Sequence, residues 1–186
     1  LVELQTSNLV AAIDEGEVDL GLLATPVDTG PLHVEELAFE PFELAVQADH
    51  PLSERPSVSV SVLRELPVLL LEHGHCLHDH ARAACSIAGH PAQTVVRSAS
   101  LATLTQMVAA GMGVTLLPIS AVGVEARAGT GVRTVAFDPP PPGRTVALVW
   151  RPTDPRHSHF ARIAQVIAGR GDPREAGVDA RSSGRT

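Results

Sequence analysis

The sequence predicts an α/β fold, and three features of its pattern carry that expectation. Short runs at residues 18–23, 68–71, 95–98 and 114–117 have the length and character of strands. Between them lie segments of about ten residues whose apolar positions recur at helical spacing. Gly16, Gly89 and Gly111 stand where those helices would end. Strands alternating with helices imply a parallel sheet with helices on both faces.

Taken in order, Thr6 is placed to cap a helix over 7–15, with Leu9, Val10 and Ile13 on one face and Gly16 at its end. A short buried strand follows at 18–23. Residues 24–37 contain the breakers Pro26, Gly30 and Pro31 and read as loop and edge, whereas 41–46 alternates Phe42, Leu44 and Val46 as a strand should. The chain turns at Asp49, His50 and Pro51. Residues 58–64 predict a short helix or turn, 68–71 a buried strand, and 79–88 an Ala-rich helix closed by Gly89.

The unit then repeats. A strand at 95–98 leads to Ser100, which caps a helix carrying Leu101, Leu104 and Val108 and closed by Gly111, and a strand at 114–117 follows. Beyond the prolines of 139–142 come a strand at 145–150 and a helix at 158–168. A late strand after a Pro-rich turn suits a return from a second lobe to a first. Residues 171–186 are polar, without periodicity, and read as a disordered tail.

Composition narrows the function. With 186 residues and 44% hydrophobic content, the chain can bury one core or two small lobes. Its apolar runs fall far short of the roughly 20 residues of a membrane helix, so no span is expected. A net charge of −7 argues against this segment gripping nucleic acid by itself, because phosphate binding rests on clustered Lys and Arg. Four Phe, one Trp and no Tyr are too few for a base-stacking platform. The chain opens at Leu1 without a signal-peptide pattern and is expected to be a fragment. Two cysteines do not make a secreted disulfide framework, so a reducing, cytoplasmic compartment is expected and any pairing would be regulated.

The densest chemistry lies at residues 72–80, where one thiol, four imidazoles and two carboxylates meet at a strand-to-helix junction. Cys76 falls just before the first helical turn, where free N–H groups and the positive helix end favour a thiolate, the species that attacks peroxide. His75 and His78 could assist when protonated. Cys85 shares the inward stripe of the helix with Leu77, Ala81, Ala84 and Ala88 and is expected to be buried. Nine residues of helix separate two Cα atoms by roughly 13 Å, whereas a disulfide needs them within about 7 Å. A bond between this pair would therefore require the helix to unwind, and the short side chains of Ala81, Ala83 and Ala84 make that unwinding cheap.

Other readings of the same residues stay open. Cys85 alone reads as a structural cysteine, and the histidines as a solvated polar junction. A metal site would need Cys76, His75, His78 and His80 to converge, and a thiol hydrolase would need a His held against the sulfur. Thr6 serves as a helix cap or as a hydroxyl holding a small polar ligand.

The segments Gly74-His75-Cys76-Leu77-x-Asp79, Cys85 nine residues on, and Ser100-Leu101-x-Thr103-Leu104 through Met107-Val108-Ala109-Ala110-Gly111 to Thr115-Leu116-Leu117-Pro118 closely resemble the OxyR-type hydrogen-peroxide sensors of the LysR-type transcription regulators. Glu3-x-x-Thr6, Gly16-x-Val18-Asp19-Leu20 and Asp49-His50-Pro51-Leu52 resemble LysR effector domains in general. The likeness covers roughly residues 1–168. It implies a two-lobed, periplasmic-binding-protein-like α/β domain: residues 1–40 with 144–168 as the first lobe, 41–143 as the second with the redox cysteines, 169–186 as a tail, and a DNA-binding domain upstream.

The resemblance makes Cys76 the peroxidatic and Cys85 the resolving cysteine, with Thr6, His75 and Asp79 at the peroxide pocket. The disulfide would reshape a homodimer or tetramer that meets promoter DNA only through the missing domain, with RNA polymerase as a further partner. No cofactor, metal, membrane or enzymatic activity is implied. Where the family has Arg two positions after the reactive cysteine, this chain has His78, whose charge depends on pH, so a weaker and pH-dependent sensitivity is expected. The alternative is a LysR-type effector domain that binds a small organic ligand, with the cysteines incidental.

Overall fold

A computed structural model describes residues 1–72, 76–89, 97–98 and 100–169, with the backbone alone for Cys76, Arg97 and Ser98. Its elements run α1 (Thr6–Asp14), β1 (Leu20–Thr25), β2 (His33–Gln47), β3 (Ser57–Val58), a 3-10 helix (Val60–Arg64), β4 (Leu70–Leu71), α2 (Cys76–Ile87), β5 (Arg97–Ser98), α3 (Leu101–Ala109), β6 (Thr115–Pro118), α4 (Ile119–Glu125), β7 (Val132–Phe137), β8 (Gly143–Trp150) and α5 (His157–Ala168). The chain divides into two units, one of Leu1–Ser7 with Phe39–Arg144, the other of Asn8–Ala38 with the chain from Thr145.

In the second unit β1 pairs antiparallel with β8 over Leu20↔Trp150 to Thr25↔Thr145. Successive residues of a strand point to opposite faces, and β8 uses both. Ala147 and Val149 pack with Ile13 of α1, while Leu148 and Trp150 pack with Phe160 of α5. Asp154 closes the turn into α5, accepting hydrogen bonds from Arg156 N at 2.9 Å and Arg151 Nη2 at 3.1 Å. Arg156 also reaches Asp19 at 2.7 Å, tying the start of β1 to the start of α5.

The first unit holds the larger core. The later half of β2 is flanked by two antiparallel neighbours, β6 (Leu44↔Leu116) and β7 (Leu44↔Val135). Parallel pairing joins β4 with β5 across α2, Val68 with Val114, and β3 with β7. Gly113 allows the second of these, because a Cβ there would collide with the Pro67 carbonyl oxygen that accepts from Val114 N at 2.9 Å. The Ser100 side chain caps α3 by accepting from Thr103 N at 3.1 Å. Glu40 is buried and accepts from Arg144 Nε at 2.7 Å and Ser120 N at 3.2 Å.

The α/β class holds, but the expected parallel sheet is corrected to a mixed one. Within 68–117 helices return the chain between short strands, and the strands they join pair parallel. β2 pairs antiparallel with β6 and β7, and β1 with β8, whereas the two residues of β3 pair parallel with β7. The segment expected as loop and edge at 24–37 is in its later part the start of β2. Its charged residues Glu35, Glu36 and Glu40 hide the strand period, and main-chain pairing rather than side-chain alternation defines it. α2 begins at Cys76, three residues before the expected start, and α1 begins at Thr6 itself. The expected tail lies outside the described residues, as does most of the expected strand at 95–98.

Candidate functional site: the helix carrying both cysteines

α2 forms because Ala81, Ala83, Ala84 and Ala88 cost little side-chain entropy, Asp79 complements the helix dipole in the first turn, and Gly89 takes a φ of +73° that ends it. Leu77, His78, His80, Ala81, Ala84, Cys85 and Ala88 are buried. At about 100° per residue they sweep an arc of roughly 160°. This face packs on the 3-10 helix and β4.

Both ends are tied to main-chain carbonyls. His78 Nδ1–H donates to Leu71 O, the end of β4, at 2.6 Å; a carbonyl can only accept, so Nδ1 carries the proton. Arg64, the last residue of the 3-10 helix, donates from Nε to Ala88 O. The expected solvated histidine junction is therefore corrected for two of its members. His78 and His80 sit at the two edges of the buried arc and are 2% and 5% exposed.

Cys85 is a free thiol with 0% of its surface exposed, and burial pushes its pKa up, away from the reactive thiolate. Cys76 is the first residue of the same helix. Nine residues of ideal helix turn through two and a half turns, so the two Cα atoms lie on opposite sides of the axis and about 14 Å apart. No disulfide spans that distance.

The fold thus brings Cys76, Asp79 and Cys85 onto one helix. Asp79 is exposed; Thr6 is half-buried at the start of α1 and belongs to the same unit as α2. His75 lies outside the described residues. Sequence reasoning missed the anchoring roles of His78 and Arg64. The first had a signal, since position 78 borders the apolar stripe; the second had none, because the contact joins residues 24 apart in the chain. Among the described residues no helix is long and apolar enough to cross a membrane, and no three His, Cys, Asp or Glu converge to hold a metal ion.

The chain is a two-unit α/β binding domain: it belongs to the LysR substrate binding domain family, which it matches over residues 1–171. Within that family it is similar to the OxyR regulators. It is 41% identical over 172 residues to the DNA-binding transcriptional dual regulator OxyR of Escherichia coli K12, covering 92% of this chain and 56% of that protein. The chain thus spans about half the length of the curated relatives it matches. Among solved structures, the reduced form of OxyR superposes with a TM-score of 0.83 at 38% identity, covering 94% of this chain and 81% of that one. The oxidized form gives 0.79 at 40% identity, covering 92% and 81%.

Proposed function

We propose that this chain is the redox-sensing regulatory domain of a LysR-type, DNA-binding transcription regulator, and that it responds to hydrogen peroxide through a reversible Cys76–Cys85 disulfide. The observation that carries this reading is the placement of both cysteines on one intact helix, with the second fully buried. Similarity to regulators named for hydrogen peroxide supports it.

The chemistry balances with peroxide as the only oxidant. At the start of α2 the unpaired backbone N–H groups and the positive helix end favour the Cys76 thiolate. The thiolate attacks one peroxide oxygen; the S–O bond forms, the O–O bond breaks, and hydroxide leaves to take up a proton as water. When α2 unwinds, the Cys85 thiolate attacks the sulfenic sulfur and the second oxygen leaves as water. Two thiols are oxidised and one peroxide is reduced to two waters. Thr6, His75 and Asp79 are the residues assigned to the peroxide pocket, and the redox chemistry belongs to the lobe of residues 41–143.

The disulfide and the helix exclude each other, so oxidation is a conformational switch. We place its output in a rearranged dimer or tetramer of regulatory domains, read by promoter DNA through a domain outside this chain and by RNA polymerase, in the cytoplasm, with no enzymatic turnover. Thiol counting tests the reading. Stoichiometric peroxide is expected to remove both free thiols, Cys76→Ser to abolish the loss, and Cys85→Ser to leave a sulfenic acid trapped by dimedone. Unchanged thiol counts would refute it and favour an organic effector with incidental cysteines.

A further inference from the structure

The last carbonyls of a helix have no intrahelical donor and carry the negative end of its dipole. In α2 a side chain from another element supplies both needs. The Nε of Arg64 donates to Ala88 O, and its guanidinium lies against Gly89, where a Cβ would stand 3.1 Å from Nη2. Gly89, with no Cβ and a left-handed φ of +73°, leaves room for it. Ala88 is three residues beyond Cys85, and Ala88 N donates to Ala84 O at 3.1 Å, so Arg64 closes the turn that buries the second thiol.

We propose that Arg64 is the latch of the redox helix, a positioning residue that keeps Cys85 sequestered and thereby sets how readily the pair is oxidised. The proposal rests on the reading that Cys76 and Cys85 join. Unwinding α2 removes the carbonyl from its place above the 3-10 helix, so the Arg64 bond contributes to the reduced state and not to the oxidised one. Its loss moves the equilibrium toward the disulfide. A charge-assisted contact at a part-buried helix end is worth about a three- to tenfold change, and tenfold is about 30 mV for a two-electron couple. The reduction potential of the pair therefore becomes more negative when Arg64 is removed.

Two measurements in the full chain test the latch separately from the disulfide. In a Cys76→Ser background no disulfide can form, and the rate of Cys85 alkylation by iodoacetamide reports the opening of α2 alone. Arg64→Met keeps the alkyl stem and loses the donor; it is expected to raise that rate about three- to tenfold, while Arg64→Lys, which keeps the charge, retains most of the protection. With both cysteines present, equilibration against glutathione buffers is expected to give a potential about 15–30 mV more negative for Arg64→Met. Equal Cys85 labelling in Arg64→Met and its parent overturns the latch. So does an unchanged potential, or a labelling increase matched by an equal loss of global stability in urea. If the parent forms no disulfide, the pairing reading fails, and the labelling ratio still decides whether Arg64 holds the helix.

Discussion

The Nδ1–H of His78 donates to the carbonyl oxygen of Leu71 at 2.6 Å, and this buried bond fastens the first turn of α2 to the end of β4. His78 is 2% exposed, so it serves as a structural tie inside the segment that holds Cys76. His78→Ala leaves the Leu71 carbonyl without this donor and is expected to destabilise the cysteine-bearing unit by about 1–3 kcal/mol. His78→Asn, whose amide nitrogen falls near the position of Nδ1, is expected to recover part of that loss. Urea denaturation followed by far-UV circular dichroism measures both; equal stability of His78→Ala and the parent would show that the bond contributes nothing.

The burial of Cys85 gives an alkaline signature. Its pKa is raised by desolvation, so the folded state binds the thiol proton more tightly than the unfolded state does. The resulting stabilisation is fully present below the unfolded thiol pKa and is lost as pH rises toward the folded one. The urea midpoint of the reduced protein is therefore expected to fall as pH rises above 9.0, the unperturbed value. Cys85→Ala should remove this part of the slope; a slope identical in the variant would assign it to other groups.

An acidic signature belongs to the other unit. Asp154 is held well below the usual carboxylate range, first by the Arg156 guanidinium and then by the Arg156 backbone N–H. A depressed carboxylate contributes stability above its unfolded pKa of 3.8 and loses it as pH falls below that value. Asp154→Asn is expected to lower the Tm at pH 7 and to flatten its fall in acid. Trp150, the only tryptophan of the chain, packs 5.9 Å from Phe160 and gives the fluorescence readout.

The sequence reveals those parts of the molecule in which side-chain pattern and backbone agree. The stripe of Leu77, Ala81, Ala84, Cys85 and Ala88 is buried as its spacing requires. Ser100 caps α3, and Gly16, Gly89 and Gly111 all take positive φ at helix ends. What stayed hidden depends on partners distant in the chain. The first half of β2 is a strand through its pairing, α4 and β7 lack a clear period over 119–137, and Arg64 meets Ala88 only because the 3-10 helix packs beneath α2. The burial of Cys85 was legible because it follows from helical spacing. The anchoring of the helix was not, because side-chain bonds to carbonyls leave no pattern in the sequence.

The exclusion of disulfide and helix is most directly tested by amide hydrogen exchange over residues 77–87, read by mass spectrometry before and after stoichiometric peroxide. The reduced chain is expected to show protected amides across α2. The disulfide-linked chain is expected to lose that protection while α3 and α5 keep theirs. A chain with Cys76 bonded to Cys85 and α2 still protected would contradict the switch.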